Sequence, residues 1–147
     1  GIVTGMVAGL GTITPASGFV GPLGALCIGI SAGIVCYYST QYIKRSLRID
    51  DSLDVFPVHG VGGILGTILA AVFVSEKLGG SGYAEGVDML TQLSIQLVGV
   101  AATIVWCGVM TLIVLKITRS LTGLRVSEDT ETAGLDLSEH DERGYNM

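Results

Sequence analysis

The stretch Val55-Phe56-Pro57-Val58-His59-Gly60-Val61-Gly62-Gly63-Ile64-Leu65-Gly66-Thr67-Ile68-Leu69-Ala70-Ala71-Val72-Phe73-Val74 decides how this chain is built. It runs without an Asp, Glu, Lys or Arg, and His59 is its one titratable side chain of neutral range. As a helix rising about 1.5 Å per residue, a run of this length measures about 30 Å, the thickness of a bilayer's hydrocarbon core. Asp50, Asp51, Ser52 and Asp54 stand in front of it, and a carboxylate from Asp51 or Asp54 is placed to meet the unpaired N–H groups of the first turn. Proline at 57 is compatible with helix only inside that first turn.

The same pattern extends in both directions. Val20 to Tyr42 and Met89 to Leu115 are further uncharged runs, and Gly1 to Ile13 is a shorter one. Spans are therefore expected at about 1–13, 20–42, 55–74 and 89–115, forming an all-α, polytopic transmembrane bundle over residues 1–115, with 116–147 as an extramembrane tail. The last run, about 40 Å as a helix, must tilt or project from the bilayer. Composition agrees: 49% of residues are apolar and 14% charged, and 22 of 147 are glycine, where soluble domains carry about 25% charge and about 7% glycine. Small residues recur at steps of four, as Gly1, Gly5 and Gly9, as Ala25, Gly29 and Gly33, and as Gly62, Gly66 and Ala70, the spacing that lets helices approach closely. Thr14-Pro15-Ala16-Ser17-Gly18 breaks the first run, and Pro22 restarts the chain.

Charge gives an orientation. Lys44, Arg45 and Arg48 end one span and Lys116, Arg119 and Arg125 another, whereas Lys77 lies in the opposite connection. The enrichment of Lys and Arg in cytoplasmic loops puts the 43–54 loop and the tail inside the cell. The net charge of −5 is made by Val126–Met147, with seven carboxylates against Arg143, while the rest of the chain is near neutral. No basic patch interleaves with aromatic residues, which argues against nucleic acid. Cys27, Cys36 and Cys107 match no metal or redox spacing and are read, like Trp106, as packing residues. No metal cluster, nucleophile with its base, or phosphate-cradling loop is recognisable, so neither an enzyme nor a cofactor is expected. The start at Gly1, inside an apolar pattern and without a charged leader, reads as a piece of a longer protein.

An ionisable group inside an apolar span marks a pathway or a proton relay by default. A neutral imidazole offers one donor and one acceptor nitrogen, so the competing reading of His59 is a core histidine bonded to a neighbouring helix. Gly63 and Thr67 follow His59 on one helical face, and Gly62, Gly66 and Ala70 occupy the adjoining strip; such glycines serve packing, clearance for a narrow channel, or both. Gln92, Gln96, Gly99 and Thr103 form a polar strip suited to interhelical hydrogen bonds.

Asp50 to Gly63 resembles the tenth-helix signature of the ammonium transporter (Amt/Mep/Rh) family, in its Amt branch. Ala8 to Gly18 resembles the end of the family's eighth helix, and Gly123-Leu124-Arg125-Val126 with Gly134 to His140 resembles its cytoplasmic tail. The resemblance implies the C-terminal part of an eleven-helix ammonium-transporter fold, a homotrimer in the cell membrane with one path per subunit. It places His59 on the second of two pore histidines, beside which recruited ammonium sheds its proton so that ammonia crosses. Val55 and Thr14 fall on pore-lining positions, and Gly62, Gly63 and Gly66 on packing or clearance positions, while Asp54 is a helix cap and not a ligand. Gly123, Arg125, Asp136 and Ser138 fall in the regulatory tail, where a PII-family signalling protein is an implied partner. An ammonium sensor, an Rh-like gas channel, or a non-conducting fragment acting only in subunit association are the alternatives.

Overall fold

The computed structural model describes residues 1–144. Among the described residues there are six α-helices, α1 Ile2–Ile13, α2 Pro22–Gln41, α3 Gly62–Phe73, α4 Met89–Leu121, α5 Glu128–Ala133 and α6 Leu135–His140, and no strand. With their terminal turns, three stretches are long and apolar enough to cross a membrane, Pro22–Ser46, Phe56–Phe73 and Met89–Leu121, and Ile2–Ala16 is a shorter apolar helix. The chain divides within α4 into two compact units, Gly1–Thr103 and Ile104–Met147.

In the first unit α1, α2 and α3 share a seam of small residues. Ala8 and Thr12 come from α1, Gly24, Ile28, Ala32 and Cys36 from α2, and Gly62, Gly66, Ala70 and Ala71 from α3, all buried. The glycines are what let α1 and α3 meet. A methyl group at Gly66 would run into the Thr12 carbonyl oxygen, and one at Gly62 would lie 2.7 Å from Thr12 Oγ1 and 3.3 Å from Cys36 Sγ. Gly24 meets Phe73 in the same way, with a methyl there 3.0 Å from Phe73 Cβ.

Two of the three small-residue ladders lie one position away from this seam. Positions 5, 9, 29 and 33 face open space, with nothing within 4 Å of an added methyl. The strips that bury are 8–12 and 24–28–32–36, because Ile28 and Cys36 fill the three-helix centre with more apolar volume than glycine supplies. Only the α3 strip Gly62, Gly66, Ala70 coincides with its ladder.

The breaks follow their punctuation. After Ile13 the chain tightens into a 3₁₀ turn, Thr14–Ala16, in which the Thr14 hydroxyl donates to the Leu10 carbonyl at 2.8 Å. Gly18 takes φ +82°, and Gly21 caps α2 with Pro22 at its first position. The loop after α3 meets that turn region through Ser81 N–H, which donates to Phe19 O at 2.9 Å, and folds back on the end of α3 through Gly82 N–H to Val74 O at 2.7 Å and the Tyr83 hydroxyl to Ala71 O at 2.9 Å. Gln92 and Gln96 border a cleft there with Pro15, Phe19 and Tyr83. Thr103 donates instead to its own helix at Gly99 O, 2.9 Å away.

α4 runs on past Leu115 through Lys116 and Arg119 to Leu121, and none of its 33 residues is buried. Trp106, expected to pack, is 67% exposed. Of the cysteines, Cys36 is buried in the seam, Cys27 is intermediate and Cys107 exposed. In the second unit Ser127 caps α5, accepting from Thr130 N–H at 3.2 Å, and Arg125 pairs with Glu131.

Candidate functional site: the entry of the His59 helix

Asp51 begins the site. Its two carboxylate oxygens accept the N–H groups of Val55 and Phe56, each at 2.8 Å, and so satisfy two of the donors that a helix start leaves unpaired. The bond from Phe56 N–H, then that from Val55, holds the Asp51 carboxyl below the usual carboxylate range, with the Lys44 charge a smaller contribution. The side-chain cap is thus Asp51 and not Asp54. Asp54 instead has a left-handed backbone, φ +57°, and its carboxylate turns to Lys44, Nζ to Oδ1 2.6 Å. Its carbonyl takes the Val58 N–H at 3.0 Å.

The turn carrying His59, Phe56–Val61, is a π-helix, with the Gly62 N–H reaching back to His59 O and Pro57 O. Pro57 is inside the first turn as expected and fully buried. Its ring occupies a position whose missing N–H costs nothing there. Val58 is buried against Ala8 and Cys36. Gly60 lies under the Phe56 ring, where a methyl group would be 3.1 Å from Cδ2.

His59 itself is exposed on this chain, and a methyl group on Gly11 of α1 would lie 3.9 Å from its Nδ1. Gly63, one turn further, has nothing within 4 Å of an added methyl. The three glycines therefore divide: Gly62 and Gly66 close the seam with α1, whereas Gly63 leaves space open. Val55 is 50% exposed and Thr14 is also exposed. The Thr14 hydroxyl is committed to its own helix. Of the residues that tie this site together, Cys36 packs as its sequence context indicates, whereas Thr12 and Gly11 were not singled out and Lys44 was read only as a span-ending charge, because each acts through a contact across helices with no local signature.

The tail residues form a separate group. Gly123 takes φ +82° and Gly134 φ +95°. Arg125 pairs with Glu131, Asp136 sits in the first turn of α6, and the Ser138 hydroxyl donates to Gly134 O at 2.8 Å.

Residues 1–145 match the Ammonium Transporter Family over nearly the whole chain. The chain belongs to the ammonium transporter family. It is 43% identical over 148 residues to an ammonium transporter of Aquifex aeolicus, matching all of this chain and 34% of that protein. It is 44% identical over 147 residues to the ammonium transporter Amt1 of Archaeoglobus fulgidus, 99% of this chain and 37% of that one. Among solved structures it is similar to a protein described as a Sensor Amt Protein, with a TM-score of 0.81 and 33% identity over 92% of this chain and 33% of that chain. The chain thus spans about a third of the length of the family members it matches. Membership fixes the architecture as a helical, membrane-spanning one of the Amt kind.

Proposed function

We propose that this chain forms the His59 side of an ammonium conduction path. The observation that carries the reading is a single imidazole in an uncharged helix, turned out of the packed seam toward the side that Gly63 leaves open. The named transporters at 43% and 44% identity support ammonium as the species carried.

Removing an ion from water is far costlier than removing a neutral molecule. A conduit lined by apolar residues therefore admits ammonia where it holds back ammonium, and an imidazole on its wall can take or pass the proton. In this reading Val55 and Thr14 line the same path, and Gly62 and Gly66 hold His59 against α1 by letting the two backbones approach. The remaining helices of a family member supply the facing wall. Lys44, Arg45, Arg48, Lys116, Arg119 and Arg125 mark the cytoplasmic ends of spans in a cell membrane, and the tail from Lys116 on, with Gly123, Arg125, Asp136 and Ser138, is the regulatory segment. A homotrimer and a PII-family protein are the partners this assignment brings.

The experiment is methylammonium or ammonium flux through the intact protein in liposomes, wild type against His59→Ala. A second reading, an ammonium sensor, is favoured by the description of the similar structure as a sensor protein. It predicts saturable ammonium binding with flux no greater than that of empty liposomes.

A further inference from the structure

We propose that Lys44 and Asp54 form a latch that sets the position of the His59 turn, making both of them positioning residues for conduction; the inference rests on the reading of His59 given above. The two lie at opposite ends of the irregular loop between α2 and α3. Lys44 belongs to the π-helical turn Tyr42–Ser46 that ends α2, and Asp54 stands just before the turn that carries His59. Their ion pair, 2.6 Å, closes the loop mouth and borders a cleft shared with Ala8, Cys36, Thr40 and Val58.

Three features make this more than a surface pair. The Asp54 side chain is only 17% exposed and its Oδ1, shut off from solvent, makes no aligned hydrogen bond, so the adjacent Lys44 charge is what compensates it. A buried carboxylate oxygen that loses its cation is left without compensation, and reaching water requires movement. Asp54 also holds a left-handed backbone, φ +57°, a conformation uncommon for residues with a side chain although Asp and Asn tolerate it better than most, so the chain turns sharply just where the His59 turn begins. Finally, Asp54 is joined to His59 by one short path: its carbonyl accepts the Val58 N–H at 3.0 Å, Val58 is buried against Ala8 and Cys36, and His59 is the next residue. Relaxation at Asp54 is therefore passed to the imidazole through backbone. Asp51, which caps the same turn from the solvent side, fixes where the helix starts. The latch fixes how the start is turned.

The test is ammonium flux against concentration in liposomes, using the intact protein as wild type, Lys44→Gln, Asp54→Asn, the double variant, Lys44→Arg and His59→Ala, with the thermal midpoint of each measured in detergent. Asn keeps the size of Asp and its tolerance of positive φ, so Asp54→Asn carries the test even where Lys44→Gln does not fold. Small misplacements of a reacting group cost one to two powers of ten, so each single variant is expected to lose about tenfold in maximal flux with half-saturation unchanged. The double variant should be no worse than the poorer single, because the two residues act as one unit. Lys44→Arg should recover flux to within about twofold, since the contact is a single charge at a partly exposed site. Wild-type flux in a folded Lys44→Gln or Asp54→Asn, or losses that multiply in the double variant, would overturn the latch. If His59→Ala lowers flux while these variants do not, the latch alone fails; if His59→Ala conducts normally, the underlying reading of His59 fails first.

Discussion

Asp51 and Asp54 are chemically identical and three residues apart, yet they do opposite things. Asp51 gathers two N–H groups at the helix start, whereas Asp54 is drawn under Lys44 with a left-handed backbone. Because the Asp51 carboxyl is lowered in the folded chain, its stabilisation is complete above the ordinary carboxylate value of about 3.9 and is lost as the pH falls through the lowered one. Thermal midpoints of wild type should therefore fall over that acidic interval more steeply than those of Asp51→Asn; identical slopes would contradict the cap. The glycines of α3 give a second prediction at this scale. Gly66→Ala drives a methyl into the Thr12 carbonyl and should destabilise by about 1–3 kcal/mol. Gly63→Ala meets nothing and should be neutral or up to about 1 kcal/mol more stable, from helix propensity alone. Thermal or denaturant unfolding in detergent separates the two, and equal effects would contradict the division between seam and open face.

The elements show what the sequence makes readable. Charge-free runs located the helices that begin near 22, 56 and 89, because a bilayer imposes length and apolarity on every span. The strip Gly62, Gly66, Ala70 was legible as a packing face. The α1 and α2 ladders were not, since four-residue spacing fixes a stripe but not which of two adjoining stripes meets a neighbour. Ile28 and Cys36 decided that, through volume and not through pattern. The π-helical turns at Tyr42–Ser46 and Phe56–Val61 were equally invisible, because one extra residue in a turn leaves no compositional mark. Of the site, His59 and Gly62–Gly63–Gly66 stood out by residue type, while Lys44, Thr12 and Gly11 became partners only through tertiary contact. At this scale Gly24→Ala should cost less than Gly66→Ala, because it presses on the movable Phe73 side chain and not on backbone. A larger cost at Gly24, read from the same unfolding curves, would contradict that ordering.

For the whole molecule the chain presents a seam-packed first unit and, beyond Thr103, a helix end followed by two short acidic helices. The small-residue faces at Gly5, Gly9, Gly29 and Gly33 and the exposed His59 all lie on surfaces that this chain leaves uncovered, and its family relatives are about three times as long. On the conduction reading proposed above, deleting Val126–Met147 from the intact protein should change regulation or trimer stability and leave ammonium flux and its selectivity as in wild type; a loss of selectivity in liposome flux would contradict that. The measurement that bears hardest on His59 is ammonium flux through the intact protein in liposomes with His59→Ala beside wild type. A conduction role predicts a fall in flux, in ammonium selectivity, or in both, with folding unchanged. A folded His59→Ala protein that matches wild type in both would contradict it.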